Sequence, residues 1–161
     1  MKNKQKAERL AAAAAVLYNV NFKSGDTVLV VEKYFSLLAE KFFKYIGCYV
    51  AEACGKPRQI NAAKKLVLDR TKFLSGGIDD VKCGLFDYAV VFDKLESLSE
   101  KDRLGISAMI RPLGRLVIID REGAEDLKKA KASFLGIDFD VEHGGGLLVL
   151  SGTKPLFEKP Q

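Results

Sequence analysis

Phe86-Asp87-Tyr88-Ala89-Val90-Val91-Phe92-Asp93 is the stretch on which the reading turns. Phe86 to Phe92 carries one charge, Asp87, among aromatic and β-branched residues, the composition of a strand buried on both faces, and Asp93 stands at its carboxyl end. A helix is expected next, from about Glu100 to Ile110, with Ser97 and Glu100 at the spacing of a capping box and Pro112 and Gly114 ending it. Arg115 to Asp120 then repeats the strand composition. Strand, helix and strand in this order form a crossover, and a crossover joins parallel neighbours.

The same grammar extends in both directions. Upstream, Ser24-Gly25-Asp26 turns the chain into Thr27 to Val31, a β-branched run. Tyr34 to Ile46 reads as a helix with Phe35, Leu38, Phe42, Tyr45 and Ile46 on one face, stopped by Gly47. Cys48 to Ala53 is a second strand, Gly55-Lys56-Pro57 a turn and Arg58 to Leu66 a short helix. Between Val67 and Leu85 the pattern is weak, with a third strand at Lys65 to Leu68 or Lys72 to Leu74 and a loop at Gly76-Gly77. Lys4 to Tyr18 is helical, helped by its run of alanines. Downstream, Glu122, Glu125 and Asp126 precede Lys128, Lys129 and Lys131 as a helix dipole favours, and Gly136 ends that helix. Ile137 to Glu142 and Leu147 to Ser151 flank Gly144-Gly145-Gly146 as an antiparallel hairpin. The expected fold is α/β: a mostly parallel, doubly wound sheet with helices on both faces and a C-terminal antiparallel hairpin. One domain over residues 1–161 is expected, with an N-terminal helix within residues 1–23 packing on it.

Composition narrows the class. The 161 residues are 48% hydrophobic and 29% charged, which suits a globular protein and excludes a disordered or collagen-like chain. No apolar run reaches the roughly 18–20 residues of a membrane span, and a cytoplasmic location is expected. Of the net charge of +5, +3 lies in the first nine residues, where Lys2, Lys4, Lys6 and Arg9 face only Glu8. This reads as a solvated helix start, and no basic face interleaved with aromatics follows it to signal nucleic-acid binding. Leu10 to Val20 after those charges looks superficially like a signal peptide, but Tyr18 and Asn19 interrupt it and no small-residue cleavage pattern follows. Cys48, Cys54 and Cys83 form no C-x-x-C pair, so no zinc site or disulfide framework is expected.

The order of pieces resembles the Rossmann-like S-adenosylmethionine-dependent methyltransferase family. Phe86 to Phe92 is similar to that family's fourth strand, FDxVxxx, and Met109 to Asp120 to its LxPGGxLxIxD segment. Lys23-Ser24-Gly25-Asp26-Thr27-Val28-Leu29 resembles the KPGDxVL lead-in to the cofactor loop. Phe134-Leu135-Gly136-Ile137 and Leu148 to Pro155 resemble the last two strands. The resemblance implies a cofactor cleft at the carboxyl ends of the strands, with the Glu52 carboxylate in the place that takes the ribose hydroxyls and Asp93 in a place used for substrate contact or catalysis.

The departure lies in the cofactor loop. Where the family carries an acidic residue and then a glycine-rich loop, together roughly D-x-G-x-G-x-G, this chain reads Val30-Val31-Glu32-Lys33-Tyr34-Phe35-Ser36, without glycine and with valine in the acidic place. Bulky side chains there keep the backbone from approaching a ligand. Glu32 is the acid available to a rebuilt loop, so Glu32 and Glu52 are the cofactor-side candidates and Asp93 the catalytic one. The expected function is a methyltransferase-like protein that has lost S-adenosylmethionine and acts as an interaction or non-catalytic module. The alternative is an active methyltransferase with a noncanonical loop, for which S-adenosylmethionine is the cofactor.

Other constellations are weaker. His143-Gly144-Gly145-Gly146 lacks the G-x-S-x-G elbow that a hydrolase reading needs, and a glycine-rich hairpin turn accounts for it. Gly76-Gly77 has no phosphate-loop lysine at the required spacing, and Cys54 is a lone thiol. Leu37 and Phe43 fall outside the main stripe of the Tyr34 to Ile46 helix, and this excess apolar surface predicts a homodimer or protein partner there.

Overall fold

Strands covered on both faces must alternate their side chains between two cores, and this chain does so. Leu29, Val31, Ala89, Val91, Leu116 and Ile118 point into one core with Leu95, Ile106 and Phe134. Val28, Val30, Val90, Phe92, Val117 and Ile119 point into the other with Ala13, Leu17, Phe22, Leu38 and Phe43. The computed structural model describes residues 2–34, 36–53, 71–74, 86–123, 130, 133–134 and 136–156. These form helix α1 (Lys2–Tyr18) and strands β1 (Thr27–Glu32), β2 (Tyr49–Ala53), β3 (Thr71–Leu74) and β4 (Phe86–Phe92). Helix α3 (Glu100–Met109) and strands β5 (Ile110–Arg121), β6 (Asp138–Gly144) and β7 (Leu147–Thr153) complete them, and α2 is the single turn Lys44–Ile46.

The described strands make a seven-stranded sheet in the order β3-β2-β1-β4-β5-β7-β6. β1 pairs in parallel with both β2 and β4, β4 pairs in parallel with β5, and β7 lies antiparallel between β5 and β6, as the composition predicts. The third strand is Thr71–Leu74, the second of the two positions the sequence left open. Strand order reverses between β1 and β4, so the crevice at their carboxyl ends is where an α/β sheet of this kind presents a site. At the opposite edge Asp87 fastens the strand beginnings: its Oδ2 accepts from Thr27 N (2.9 Å) and Oγ1 (3.1 Å), and Arg111 Nε donates to Oδ1.

Several local expectations are corrected. The segment Tyr34 to Ile46 is not one regular helix: helical backbone begins at Leu37, widens into a π-type turn at Ala39–Phe43 and ends with α2, where Gly47 takes φ +89°. The widened turn rotates Phe43 inward. Phe43 is fully buried, edge-on to Phe22 and Phe42 at 5.0 Å each, and supplies no surface to a partner. The capping box of α3 is Ser99 with Asp102, whose shorter acid reaches back to the Ser99 amide, while Ser97 lies in a 3-10 turn. Pro112 and Gly114 do not follow the helix as a loop. They sit in an irregular start to β5, where Phe86 pairs with Ile110 but Tyr88 with Arg115, which keeps the proline out of the regular ladder. The Arg58 to Leu66 helix, Phe35, Cys54, Cys83, Gly55-Lys56-Pro57, Gly76-Gly77 and most of the helix after Asp120 lie outside the described residues.

Candidate functional site

The carboxyl ends of β1, β2, β4 and β5 carry Glu32, Glu52, Asp93 and Asp120. All four are engaged by the chain itself. β1 and β2 are in register with Val30 beside Glu52, so Glu52 and Glu32 share one face of the sheet. They are 1% and 6% exposed. Glu52 Oε1 accepts from Ser36 N at 2.8 Å, while Glu32 Oε1 and Oε2 accept from Leu38 N (2.7 Å) and Ala39 N (3.3 Å). The two acids named from the sequence thus come together, and both hold down the turn that follows β1. Burial pushes the Glu32 carboxyl up to about 7, against the opposing pull of Glu52 and the turn amides.

Ser36 falls at the last glycine place of the family's loop and has φ +67°. Its hydroxyl is buried and has no hydrogen-bond partner among the described residues. The left-handed backbone costs a residue with a side chain about 1–2 kcal/mol, and an orphaned buried hydroxyl about 1–3 kcal/mol. Glycine removes both at about 0.5–1 kcal/mol of unfolded-chain entropy. Ser36→Gly is therefore expected to stabilise the protein by about 1 kcal/mol, read as a higher urea midpoint with unchanged slope.

Asp93 is drawn away from Glu32 and Glu52 into a different partnership. Arg9 of α1 grips it with a fork, Nε to Oδ2 at 2.8 Å and Nη2 to Oδ1, and the Asp93 side chain is 4% exposed. Asp93 has φ +51°, a conformation aspartate tolerates better than most residues. Arg9 also lies 5.8 Å from the centre of the Phe92 ring, and its hydrogen bonds to Asp93 raise its already high pKa further. Asp120 is buried nearby, accepting from Leu95 N (3.2 Å) and Arg121 N (2.8 Å), and desolvation raises its pKa. Above β1, Tyr34 is half-buried with the ammonium groups of Lys6 and Lys33 each 5.5 Å from its ring centre.

Arg9 is the residue that sequence reasoning missed, having read it as part of a solvated helix start. A signal was present: Arg9, Ala13 and Leu17 are spaced at i, i+4 and i+8, and Ala13 and Leu17 are fully buried. Arg9 continues that buried stripe to the edge of the sheet. His143, the hairpin histidine, lies on β6 with Leu148 of β7 between it and Asp120, and pairs loosely with Glu122, at 3.8 Å. Among the described residues no group of three metal-ligating side chains occurs, and no helix is long and apolar enough to cross a membrane.

The strand order, the reversal between β1 and β4 and the terminal hairpin match solved structures across almost the whole chain. The fold is that of the Rossmann-like methyltransferases. A TehB-like SAM-dependent methyltransferase from Corynebacterium glutamicum is similar at 19% identity and a TM-score of 0.71, covering 95% of this chain and 96% of that one. A SAM-dependent methyltransferase from Aquifex aeolicus is similar at 18% identity and a TM-score of 0.72, covering 87% and 88%. A chain in the complex of the Haloferax volcanii Trm112 methyltransferase activator with a methyltransferase is similar at 14% identity and 0.72, covering 91% and 89%. At these identities the likeness is one of fold. No family model matches the sequence, and no curated protein matches it.

Proposed function

We propose that the protein keeps the methyltransferase fold, closes the cofactor edge with its own residues and works without S-adenosylmethionine, as a cytoplasmic, non-catalytic module that contacts another protein chain. The engagement of Glu52 carries this reading. The family resemblance gives that carboxylate to a ribose diol, but here it is 1% exposed and accepts the Ser36 amide. A ribose could reach it only after that bond broke and the turn swung away. Glu32, Tyr34 and Ser36 stand in glycine places, and Val30 replaces the family's acid. The residues present do not fit the cofactor in its usual pose. Each lost hydrogen bond to a charged group costs about 1.5–3 kcal/mol, so two losses move a micromolar ligand towards millimolar.

Calorimetric titration with S-adenosylmethionine at physiological ligand concentrations is expected to give no binding heat, and incubation with the labelled cofactor no methyl transfer. Saturable micromolar binding that Glu52→Ala abolishes would overturn the reading and make the protein an active methyltransferase with a rebuilt loop. For the partner contact, the Haloferax volcanii complex offers an instance of this fold held by a protein activator. On the present chain Phe43 is core, and the segment Tyr34 to Ile46 retains Tyr45, 81% exposed, as its apolar contribution to such a surface.

A further inference from the structure

The crevice at the ends of β1 and β4 presents to water a charge opposite to that of its acids. Glu32, Glu52 and Asp120 are buried, and the Asp93 side chain is covered and paired with Arg9. Lys6 of α1 and Lys33, the residue after β1, are exposed, and their ammonium groups each lie 5.5 Å from the centre of the one Tyr34 ring. Lys33 N donates to Phe92 O at 3.0 Å, which sets this group beside the end of β4, where the strand order reverses. The ion pairs among the described residues are Arg9 with Asp93, Arg111 with Asp87 and His143 with Glu122, so neither lysine has a carboxylate partner there.

Two like charges gathered on one ring repel each other, and an anion between them removes the repulsion. The geometry points to a binding site for a small ligand carrying a diphosphate group, gripped by Lys6 and Lys33 while the Tyr34 ring positions both. A diphosphate offers negative oxygens to two ammonium groups at once, where a single carboxylate supplies one charge. A crevice at the reversal of an open α/β sheet seats small ligands. A cation over an exposed ring is held less tightly than one hydrogen-bonded to a phosphate oxygen, so each lysine can turn from ring to ligand with the backbone in place.

The neighbouring charges leave this site to the lysines. On α1, Arg9 is committed to Asp93, and Glu8 lies two residues from Lys6, on another side of the helix. Glu32 and Glu52 accept the amides of Ser36, Leu38 and Ala39, and Asp120 those of Leu95 and Arg121. These acids are occupied by the chain, so an anion arriving from solvent meets the exposed ammonium groups. This inference goes beyond the proposed function and uses a different probe from the S-adenosylmethionine titration, so each can fail while the other stands.

The test is titration of the free protein with inorganic pyrophosphate at about 0.15 M salt, followed through the amide resonances of Lys6, Lys33 and Tyr34. Saturable binding with a Kd below about 1 mM is expected. Lys6→Ala and Lys33→Ala are each expected to weaken it about tenfold, and Tyr34→Leu about threefold with no change of charge. Lys23→Ala removes an exposed lysine before β1, at the opposite end of the strand, and is expected to change binding less than about twofold. The two lysine variants alter exposed side chains and decide the matter if Tyr34→Leu does not fold. No saturation by about 10 mM pyrophosphate, or equal losses from Lys23→Ala and Lys6→Ala, would overturn the proposal. A phosphoserine peptide that binds more tightly than pyrophosphate would overturn the assignment to a small ligand and make the site a contact with a phosphorylated protein.

Discussion

Phe43→Ala is expected to cost about 3–5 kcal/mol of folding stability, the usual loss when a fully buried aromatic ring is truncated. Phe43 has no exposed surface, and its ring meets Phe22 and Phe42 edge-on within the core that joins α1 to the sheet. The loss is a large share of the roughly 5–15 kcal/mol that holds a domain of this kind together. Urea unfolding should show the midpoint falling with little change in slope. Tyr45, two residues later and 81% exposed, is the control: Tyr45→Ala is expected to change stability by less than about 0.5 kcal/mol. Sedimentation across a concentration range then separates the roles, since Tyr45→Ala should weaken any self-association while leaving the fold intact. Equal stability losses in the two variants would contradict the inward rotation of the turn.

Arg9→Ala is expected to cost about 2–4 kcal/mol, because removing one partner of a desolvated pair leaves the other charge buried and uncompensated. Asp93, whose side chain is 4% exposed in the intact pair, would lose its counter-charge with the buried Asp120 close by. Arg9→Lys keeps the charge but not the fork, and is expected to recover less than half of the loss. In a double-mutant cycle with Asp93→Asn, a coupling of at least about 1 kcal/mol is expected. Exchange measurements should place the effect in the first half of α1, upstream of the buried Ala13 and Leu17. Additive single effects would mean that the pair does not hold α1 over the ends of β1 and β4.

A chain of this fold that had kept glycines after β1 would leave its strand-end acids free for a ligand. Here the same acids accept the chain's own amides and Arg9.

Strand identity was legible in the sequence because burial on both faces demands it locally: Thr27 to Val31, Phe86 to Phe92 and Arg115 to Asp120 have no other role that suits their composition. The parallel order and the closing hairpin followed from connection lengths and turn glycines. Glu32, Glu52 and Asp93 were legible as strand-end acids, but their partners were not. Arg9 meets Asp93 across 84 residues of chain, and Glu52 meets Ser36 across 16. Such contacts depend on the path of the turn after β1 and on how α1 crosses the sheet, and neither has a periodic signature. Phe43 shows the same limit, since a regular helix places it outside the buried stripe and the widened π-type turn places it inside. Composition and spacing alone determined the central strands and the closing hairpin, though not the place of β3 or the start of β5, because those choices are imposed within a few residues. Only the tertiary structure decided what the strand-end acids hold, because a buried charge is satisfied by whichever donor the fold brings within reach.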